Sequence, residues 1–357
     1  MPELPEVHTT VEGLKKLVLG KTIKDAWSDF HIDTAHGHRN NLKNLNHYKN
    51  LKKKIVGARI VNIERLGKNI LIHLKKGVNI KNNHQGQSLE YTIVVHMKMT
   101  GHLLFGTYRK VNYKLQITDY KPRRKASFIR GRQIQKHKIS NIKTKQKERW
   151  IAMEEGALRD SYNQFIHFVL TLADKNRKEK HLVLSDMRKS ASVCLVETNK
   201  LNNHEGLSPL GPDPLLMSKK EFIERFYNFA KRKSVPIKTF LLDQSFVAGI
   251  GNIYSDEILW QSGVHPLSKP ISVPKKIIEE IFKNTHKILK KSISLGGDSM
   301  SDYRNPYGEK GGFQNCHKAY RKTGKNCPKP KCDGLIEKIV IGGRSSHFCP
   351  KHQIKHL

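Results

Sequence analysis

Residues 237–266 read IKTFLLDQSFVAGIGNIYSDEILWQSGVHP, and the spacing of their apolar residues predicts two helices joined by a tight turn. Gly249 and Gly251 lie in this turn, and Asn252 stands where a helix N-cap belongs. Because backbone N–H groups at such turns attract anions, the stretch predicts a place for a phosphate group. Two plainer interpretations stay open, with Asn252 as a helix cap only and Lys238 as a solvated surface lysine.

Helical periodicity continues on both sides of this unit. It recurs in KKEFIERFYNFAKRK, residues 219–233, and in KKIIEEIFKNTHKILKKSISLGG, residues 275–297, so the second half of the chain is predicted to be mostly helical. The Pro- and Gly-rich stretch LSPLGPDPLL, residues 207–216, is typical of a linker between domains. We therefore divide the chain into a first domain of residues 1–206, a linker of 207–216, a helical domain of 217–313 and a tail of 314–357.

The first domain carries the alternating pattern of β strands. Alternation of apolar and polar residues recurs in four stretches, residues 54–74, 91–106, 164–172 and 180–187. A helix is predicted to open the domain, because VHTTVEGLKKLVLG places Val7, Val11 and Leu14 on one face before Gly20 ends it. Strands followed by helices make the chain an α+β protein.

The charge of the chain indicates a polyanionic partner. Lys and Arg number 66 against 31 Asp and Glu, which leaves a formal charge of +35. DNA phosphates satisfy such an excess, although a ribosomal-type or membrane-surface protein also fits, and charge alone does not separate a binding protein from an enzyme. A basic insertion is predicted at about 107–150, where residues 111–150 hold thirteen Lys or Arg against two acids and no sustained period. We expect a flexible arm that adds affinity for DNA, and a loop without a role in binding stays open as the alternative.

The start of the chain and its apolar content predict an intracellular protein that is not secreted. No apolar run approaches the roughly eighteen residues that span a bilayer. A secretory signal is basic and then apolar at its start, whereas Glu3 and Glu6 stand there in this chain. Four of the five cysteines fall in the last 42 residues, which favours a local metal site over a disulfide framework, and Cys194 is expected to be a buried thiol.

The tail cysteines have the spacing of a zinc site. Cys327, Cys332, Cys349 and His352 form the pattern C-x4-C-x16-C-x2-H, and three thiolates with one imidazole satisfy tetrahedral zinc. A hairpin this short needs the ion to fold, so we expect one structural zinc ion. Three other candidates stay open, namely His347, His356 and the upstream pair Cys316-His317. The Gly342-Gly343 turn is predicted to direct Arg344 outwards, towards phosphate.

Six ordered motifs carry a resemblance to a known family. They are MPELPEV at 1–7, RLGKNIL at 65–71, HMKMTGHL at 96–103, LSPLGPDPL at 207–215, VAGIGNIYSDEILWQSGVHP at 247–266 and the terminal cysteine hairpin. In this order they resemble the formamidopyrimidine-DNA glycosylase family, over nearly the whole chain except residues 111–150 and a shorter insertion at about 81–90. The resemblance implies an N-terminal β-sandwich domain with flanking helices, a helix-two-turns-helix domain and a zinc-bound β-hairpin. Leu4 favours the formamidopyrimidine branch over the endonuclease VIII branch.

The resemblance also implies roles for individual residues. Pro2 is the expected nucleophile, Glu3 the proton donor, Glu6 a supporting carboxylate and Lys68 a cation beside the lesion. Four further contacts with DNA are implied at Arg188, Lys238, Asn252 and Arg344, while Met99 fills the gap left by the everted base. One departure concerns Ser190, which stands where the family has a phenylalanine wedge. Residues 294–313 resemble the family's lesion-capping loop.

The implied chemistry sets a condition on the start of the chain. An internal proline has no nucleophilic nitrogen, so Met1 must be removed before Pro2 can form a covalent imine with a sugar carbon. The expected partner is double-stranded DNA with oxidised bases or abasic sites, bound by a monomer. Two alternatives stay open, a pyrimidine-preferring glycosylase of the endonuclease VIII type and a catalytically weak protein that binds damaged DNA.

Overall fold

The computed structural model describes residues 1–31, 41–77, 89–118, 142–173, 176 and 178–357. The α helices in these ranges are α1 Leu4–Val18, α2 Leu45–Ile55, α3 Lys219–Ala230, α4 Ile237–Leu242, α5 Asn252–Gln261 and α6 Lys275–Ser294. The strands are β1 Thr22–Ser28, β2 Arg59–Leu66, β3 Asn69–Lys76, β4 Leu89–His96, β5 His102–Gly106, β6 Tyr108–Thr118, β7 Ile142–Ala152, β8 Ile166–Ala173, β9 Glu179–Ser185, β10 Ser192–Glu197, β11 Glu337–Ile341 and β12 Arg344–Phe348. None of the helices in the described ranges has the length and apolar character that crossing a bilayer requires.

Eight strands form one hydrogen-bonded sheet in the order β10-β4-β3-β2-β1-β8-β9-β5, with neighbouring strands antiparallel. The join between β1 and β2 is a single residue pair, Thr22 with Arg59, so two four-stranded halves meet at one corner. Side chains of both halves share one core, as Ile72 and Ile93 do with Leu170. Two sheets that enclose a common core form a β-sandwich, and the predicted fold class is confirmed.

Helix α1 packs against this core along the face that its sequence predicts. Val7, Val11, Leu14 and Val18 are buried and belong to the same cluster. The helix ends at Val18, and Gly20 then adopts φ +78°, a conformation that favours glycine. The predicted opening helix is confirmed.

The helical part has a core of its own, built of aromatic side chains. Phe222 and Phe226 on α3, Phe240 on α4 and Phe246 in the following turn are fully buried. The Phe240 and Phe246 ring centroids lie 4.4 Å apart. These contacts pack α3 against the turn between α4 and α5, and the predicted helices of this part are confirmed.

The basic insertion is more regular than its sequence predicts. Its two ends are β6 and β7, which pair antiparallel and join Tyr108 to Ala152 and Thr118 to Ile142. These two strands are not predicted in the sequence analysis, although Val111, Tyr113, Leu115 and Ile117 of β6 alternate with polar residues. Residues 119–141 lie outside the described ranges, as do residues 81–88 of the shorter predicted insertion.

Helix α2 is not predicted from the sequence. Only Leu51 and Ile55 of its eleven residues are buried, and three lysines fill its last turn. Leu45, Tyr48, Leu51 and Ile55 do have helical spacing, but Leu45 is exposed and the surrounding polar and basic residues obscure the face. Its N-cap is Asn44, whose side chain accepts hydrogen bonds from the Asn46 and His47 N–H groups.

Candidate active site and metal centre

The start of the chain is docked onto the turn between α4 and α5. Pro2 and Glu3 are buried, and the Leu4 N–H donates a hydrogen bond to the Gly249 carbonyl at 3.0 Å. The Glu3 carboxylate accepts a hydrogen bond from the Ile253 N–H at 2.9 Å, in the first turn of α5. Free N–H groups and the helix dipole stabilise a carboxylate at that end of a helix. The residues expected to carry the chemistry therefore lie where the sheet domain meets the helical domain.

Two glycines of the predicted turn leave room for this docking. A Cβ atom at Gly251 would lie 2.3 Å from the Glu3 Cδ, and one at Gly249 would lie 2.8 Å from the Leu4 side chain. Gly249 also has φ +112°, which a residue with a side chain rarely adopts. The glycines that predict a tight turn thus also admit the start of the chain.

Glu6 connects three segments beneath the start of the chain. Its carboxylate accepts hydrogen bonds from the Glu3 N–H and the Asp298 N–H, each at 2.7 Å, and from the Tyr254 hydroxyl. Burial, and after it the neighbouring Glu3 carboxylate, raise the pKa of Glu6 to about 7. Glu6 therefore ties the first turn of α1 to α5 and to the segment after α6.

Two cavities open beside the start of the chain. The smaller, of about 260 Å³, has Pro2, Met99, Arg188 and five residues of the stretch 298–303 in its lining. The larger, of about 520 Å³, has Lys68, Gly251 and Arg344 in its lining. Met1 belongs to both linings, so it stands where the two cavities meet. A reacting group at Pro2 is thus accessible from a space that also holds basic side chains.

Lys68 lies in the tight turn between β2 and β3, after Gly67 at φ +58°. Its side chain is nearly buried. Burial lowers the pKa of its ammonium group, the Glu3 carboxylate acts in the opposite direction, and Arg344 adds to the lowering. Lys68 is therefore a cation with little access to water, close enough to Glu3 for the two charges to interact.

Met99 and Arg188 stand on two loops that one buried carboxylate joins. Asp186 is fully buried and accepts hydrogen bonds from the Thr100 hydroxyl and from the Ala191 N–H, the latter at 2.6 Å. The Thr100 hydroxyl accepts in turn from the Arg188 N–H at 3.1 Å. Met99 is 45% exposed at the rim of the smaller cavity. Asp186 thus holds the loop of Met99 and the loop of Arg188 in a fixed relative position.

Ser190 makes no contribution to this rim. Its hydroxyl is buried and has no hydrogen-bond partner among the described residues. Met187, on the same loop, is 43% exposed and lines the smaller cavity together with Met99. The apolar surface on this side of the cavity therefore comes from the two methionines.

The structure places Lys238 differently from its expected role at a phosphate. The side chain is fully buried, and Nζ donates to the Asn252 carbonyl at 2.9 Å, the Ser255 hydroxyl at 2.8 Å and the Asp256 carboxylate at 2.6 Å. Asp256 also accepts from the Ser346 hydroxyl at 2.8 Å. Three acceptors satisfy an ammonium group, so no N–H of Lys238 is left for a phosphate. Lys238 instead ties α4 to α5 and, through Asp256, to β12.

Asn252 and Arg344 remain near the cavities. Asn252 is the first residue of α5, and the N-cap is Gly251, one position earlier than the sequence predicts. The Asn252 Oδ1 is buried without a hydrogen-bond partner among the described residues. Arg344 is exposed, follows the Gly342-Gly343 turn at φ +55° and +73°, and lines the larger cavity.

Four side chains of the tail come together as one possible metal site. The ligand atoms of Cys327, Cys332, Cys349 and His352 all lie within 4.8 Å of one another. The Cys327 Sγ is 3.2 Å from the His352 Nδ1, and the Cys332 Sγ is 3.6 Å from the Cys349 Sγ. Thiolates about 2.3 Å from a tetrahedral zinc ion lie about 3.8 Å apart, so the donor set fits one ion. The His352 Nε2 lies 3.0 Å from the Trp260 carbonyl, which turns Nδ1 towards the thiols.

The other candidate ligands have different partners. The His347 Nδ1 pairs with the Asp256 carboxylate at 3.0 Å. The His317 Nε2 lies 2.5 Å from the Asp298 carboxylate, so this histidine pairs with an acid before the hairpin and not with its thiols. His352, rather than a neighbouring histidine, therefore completes the group of possible ligands within the described residues.

Sequence reasoning misses the buried acids that hold these loops. Asp256 anchors Lys238, and the adjacent Glu257 accepts hydrogen bonds from the Lys318, Ala319 and Tyr320 N–H groups at 2.8–2.9 Å. A signal exists in the sequence, since Asp256 and Glu257 interrupt the apolar run NIYSDEILW. Acidic residues inside a helix that is buried on all sides need partners, and such residues are candidates for structural anchors.

The comparisons with known proteins cover the whole chain. Residues 1–193 match the formamidopyrimidine-DNA glycosylase N-terminal domain, and residues 210–304 match the formamidopyrimidine-DNA glycosylase H2TH domain. The chain is 30% identical to the formamidopyrimidine-DNA glycosylase of Lactobacillus acidophilus, over 99% of both proteins. It is 29% identical to that of Bacillus subtilis, over 99% of this chain and 100% of the relative.

Solved structures of the same kind share the fold. A structure of MutM in complex with DNA containing carbocyclic 8-oxo-G matches with a TM-score of 0.68 and 25% identity, over 99% of this chain and 100% of that chain. The Lactococcus lactis Fpg bound to DNA with an abasic site matches with a TM-score of 0.67 and 26% identity, over the same shares of the two chains. With both domains, the full length and the fold in agreement, the chain belongs to the formamidopyrimidine-DNA glycosylase family.

Proposed function

We propose that the protein removes oxidised purines from double-stranded DNA and cuts the strand there, with the Pro2 nitrogen as nucleophile after Met1 is removed. One observation carries the proposal, the docking of Pro2 and Glu3 onto the N-terminus of α5 between two cavities. The relatives support the substrate class, since their solved complexes contain DNA with 8-oxo-G, Fapy-dG or an abasic site.

The nucleophile depends on the state of the chain start. An internal proline nitrogen belongs to an amide, and removal of Met1 turns it into a secondary amine that can be protonated or act as a nucleophile. The Lys68 ammonium group lines the larger cavity together with Met1, and a positive charge close to the new amine favours its neutral form. Met1 lines both cavities, and its loss clears the space next to the amine.

The reaction begins when the amine attacks C1′ of the damaged nucleotide and the bond from C1′ to the base breaks. Glu3, held beside Pro2, supplies the proton for this step. Opening of the sugar ring then leaves a cationic imine between Pro2 and C1′, which acidifies C2′. Loss of a C2′ proton expels the 3′ phosphate, and a second elimination expels the 5′ phosphate. Glu6 supports Glu3 through the hydrogen bond to its backbone N–H.

We assign the DNA contacts to side chains that lie at or near the two cavities. Eversion of a base costs a few kcal/mol, least for a damaged base, and leaves a gap in the stack. Met99 fills this gap and Arg188 meets the opposite base, while Asn252 and Arg344 contact phosphates on the side of the larger cavity. Lys238 acts indirectly, because its Nζ holds the Asn252 carbonyl.

We propose zinc as the ion of the tail, with a structural role only. Cys327, Cys332, Cys349 and His352 would hold it and so fix the β11–β12 hairpin that carries Arg344. The ion takes no part in the reaction at Pro2. We further propose that the protein acts as a monomer in the compartment that contains the cell's DNA.

A pair of damaged duplexes tests the proposed substrate class. Duplexes of one sequence, with 8-oxoguanine or 5-hydroxyuracil at the same position, are cut under single-turnover conditions, with an undamaged duplex as control. We expect the 8-oxoguanine strand to be cut faster and the undamaged strand to stay intact. Faster cutting of 5-hydroxyuracil would make the protein a pyrimidine-preferring enzyme, and binding without cutting of either would make it a damage-binding protein.

A further inference from the structure

Arg304 is the largest of the fully buried side chains in the described residues. Its Nη2 faces both carboxylate oxygens of Asp160 at 3.1 Å. Its Nη1 donates to the Ser301 carbonyl at 3.0 Å and the Tyr303 carbonyl at 2.8 Å, and the guanidinium carbon lies 4.9 Å from the centre of the Tyr162 ring. A buried arginine therefore joins two segments that are far apart in the sequence.

One of these segments covers the smaller cavity. Residues 298–310, here called the capping segment, contribute Asp298, Met300 and Tyr303 to the cavity lining beside Pro2. The other segment, with Asp160 and Tyr162, belongs to the sheet domain between β7 and β8. Arg304 thus fastens the capping segment of the helical half to the catalytic half of the molecule.

Two further hydrogen bonds connect the capping segment to the sheet domain. The Phe105 N–H donates to the Pro306 carbonyl at 2.8 Å, and the Asn163 side chain donates to the Gly308 carbonyl at 3.3 Å. These contacts use backbone carbonyls and neutral donors, which contribute less than hydrogen bonds with a charged partner. The start of the capping segment is also held to α1, since the Asp298 N–H donates to the Glu6 carboxylate at 2.7 Å and the Tyr303 hydroxyl to the Glu6 carbonyl at 2.9 Å. Among the described residues, the Arg304–Asp160 pair is the contact of this junction in which two side chains of opposite charge meet.

The environment of the pair favours its charged form. Burial pushes the pKa of Asp160 upwards, but hydrogen bonds from the Tyr162 N–H and from Arg304 outweigh it and lower that pKa. Removal of one partner leaves the other without its counter-charge, which is costly for a buried arginine. Lysine is not an equivalent replacement, because Arg304 uses Nη2 for Asp160 and Nη1 for the two loop carbonyls, whereas an ammonium group has a single nitrogen.

We propose that Arg304 and Asp160 are positioning residues that latch the capping segment over the smaller cavity before DNA arrives, so that it closes on the everted base. This inference rests on the proposed function, since the covered ligand is the oxidised base. An abasic site has no base to cover, so its cleavage does not need the closed segment. The latch therefore affects base excision and leaves strand cleavage at a preformed abasic site unchanged.

Two substrates and three variants test the latch. Arg304→Met and Asp160→Asn each break the pair, and Asp160→Asn keeps an oxygen for the Tyr162 N–H. Arg159→Met is the matched control, because its ion pair with Glu155 is adjacent in the chain and largely exposed. We expect both latch variants to excise 8-oxoguanine about tenfold more slowly and to cleave an abasic duplex at the wild-type rate. The control variant keeps both rates.

Amide hydrogen exchange of the free protein gives a second, independent readout. We expect faster exchange in residues 298–310 of both latch variants and unchanged exchange in α6. Equal excision rates for wild type and latch variants, or equal slowing on both substrates, would overturn the proposal. If the wild-type protein excises no oxidised base, the proposed function fails, and unchanged exchange in the capping segment would then remove the latch as well.

Discussion

The Glu3 carboxylate occupies the space that a side chain at position 251 would need, so the two positions are coupled. Gly251 has φ −132°, which any residue adopts, and only the 2.3 Å approach to Glu3 excludes a Cβ. We expect Gly251→Ala to displace Glu3 and to lower the rate of 8-oxoguanine excision by roughly 100-fold, the effect of a misplacement of about 1 Å.

The matched control for this substitution is Gly77→Ala, since a Cβ there meets no atom within 4 Å. Single-turnover rates of both variants, with circular dichroism to verify folding, measure the effect. A Gly251→Ala variant that excises at the wild-type rate would show that the position of Glu3 is unimportant.

Glu6 gives the free energy of unfolding a pH dependence that one substitution can isolate. Its pKa is about 7 in the folded protein against 4.5 in the unfolded chain, so the folded protein binds the extra proton between these values. The stability that the protonated group contributes is complete below pH 4.5 and is lost as the pH rises through about 7. Glu6→Gln has no such proton to lose.

We therefore expect the unfolding free energy of the wild type, minus that of Glu6→Gln, to fall by up to about 3 kcal/mol from pH 4.5 to pH 7. Urea titrations of both proteins across this range measure the difference, in which carboxylates that do not interact with Glu6 cancel because both proteins contain them. A difference that stays constant with pH would contradict the raised pKa.

At the residue scale the sequence predicts which residues belong to the site better than it predicts whether their side chains are buried or exposed. The glycines of the α4–α5 turn and the start of the chain are recognisable from their motifs. The burial of Lys238 is not, because its acceptor Asp256 lies eighteen residues further on and the next partner, Ser346, lies on β12. Only tertiary packing shows that such a lysine points inwards.

At the scale of elements, the β11–β12 hairpin depends on its metal. Its two strands have five residues each, too few for a core of their own. We expect one zinc ion per wild-type chain and none in Cys327→Ser, with DNA binding at least tenfold weaker in the variant because Arg344 loses its support.

Cys316→Ser is the matched control, since Cys316 lies outside the ligand group and packs against the helical core. Atomic emission spectrometry of the purified proteins gives the zinc content. Unchanged zinc in Cys327→Ser, or its loss in Cys316→Ser, would contradict the ligand set.

The elements that the sequence predicts are those with a periodic buried face. Helices α3 and α6 each place several apolar residues against one core, and their patterns are clear. Strand β6 does carry a local signal, since Val111, Tyr113, Leu115 and Ile117 alternate with polar residues. The signal is obscured because its partner β7 alternates basic residues instead of apolar ones, and the charge of the whole stretch draws attention away from it.

At the scale of the whole molecule, the formal charge of +35 predicts DNA binding that weakens steeply with salt. Residues 119–141 contain eight Lys or Arg and one acid, so part of this dependence is expected to come from the insertion. We expect their deletion to reduce the slope of log affinity against log salt without changing the rate of base excision at saturating enzyme.

Fluorescence anisotropy with an undamaged duplex at several salt concentrations measures both slopes. Deletion of residues 81–88, which contain one Lys and one His but no Arg, is a control for shortening the chain. An unchanged slope after deletion of 119–141 would remove the insertion from the DNA-binding surface.

The division into a sheet half and a helical half follows from the sequence, whereas the junction between them does not. Contacts such as Glu3 with Ile253, or Arg304 with Asp160, join residues more than 140 positions apart, and no local pattern encodes them. The cavities lie along this junction, so the site could be identified from motifs but its geometry could not.

The most direct test of the account is to trap the covalent intermediate and find the residue that carries it. Borohydride reduction during the reaction with an 8-oxoguanine duplex, followed by mass spectrometry of the peptides, locates the adduct. We predict an adduct on the Pro2 nitrogen of protein that has lost Met1, and none on protein in which Met1 is retained. An adduct on Lys68, or full activity with Met1 still attached, would contradict the central claim.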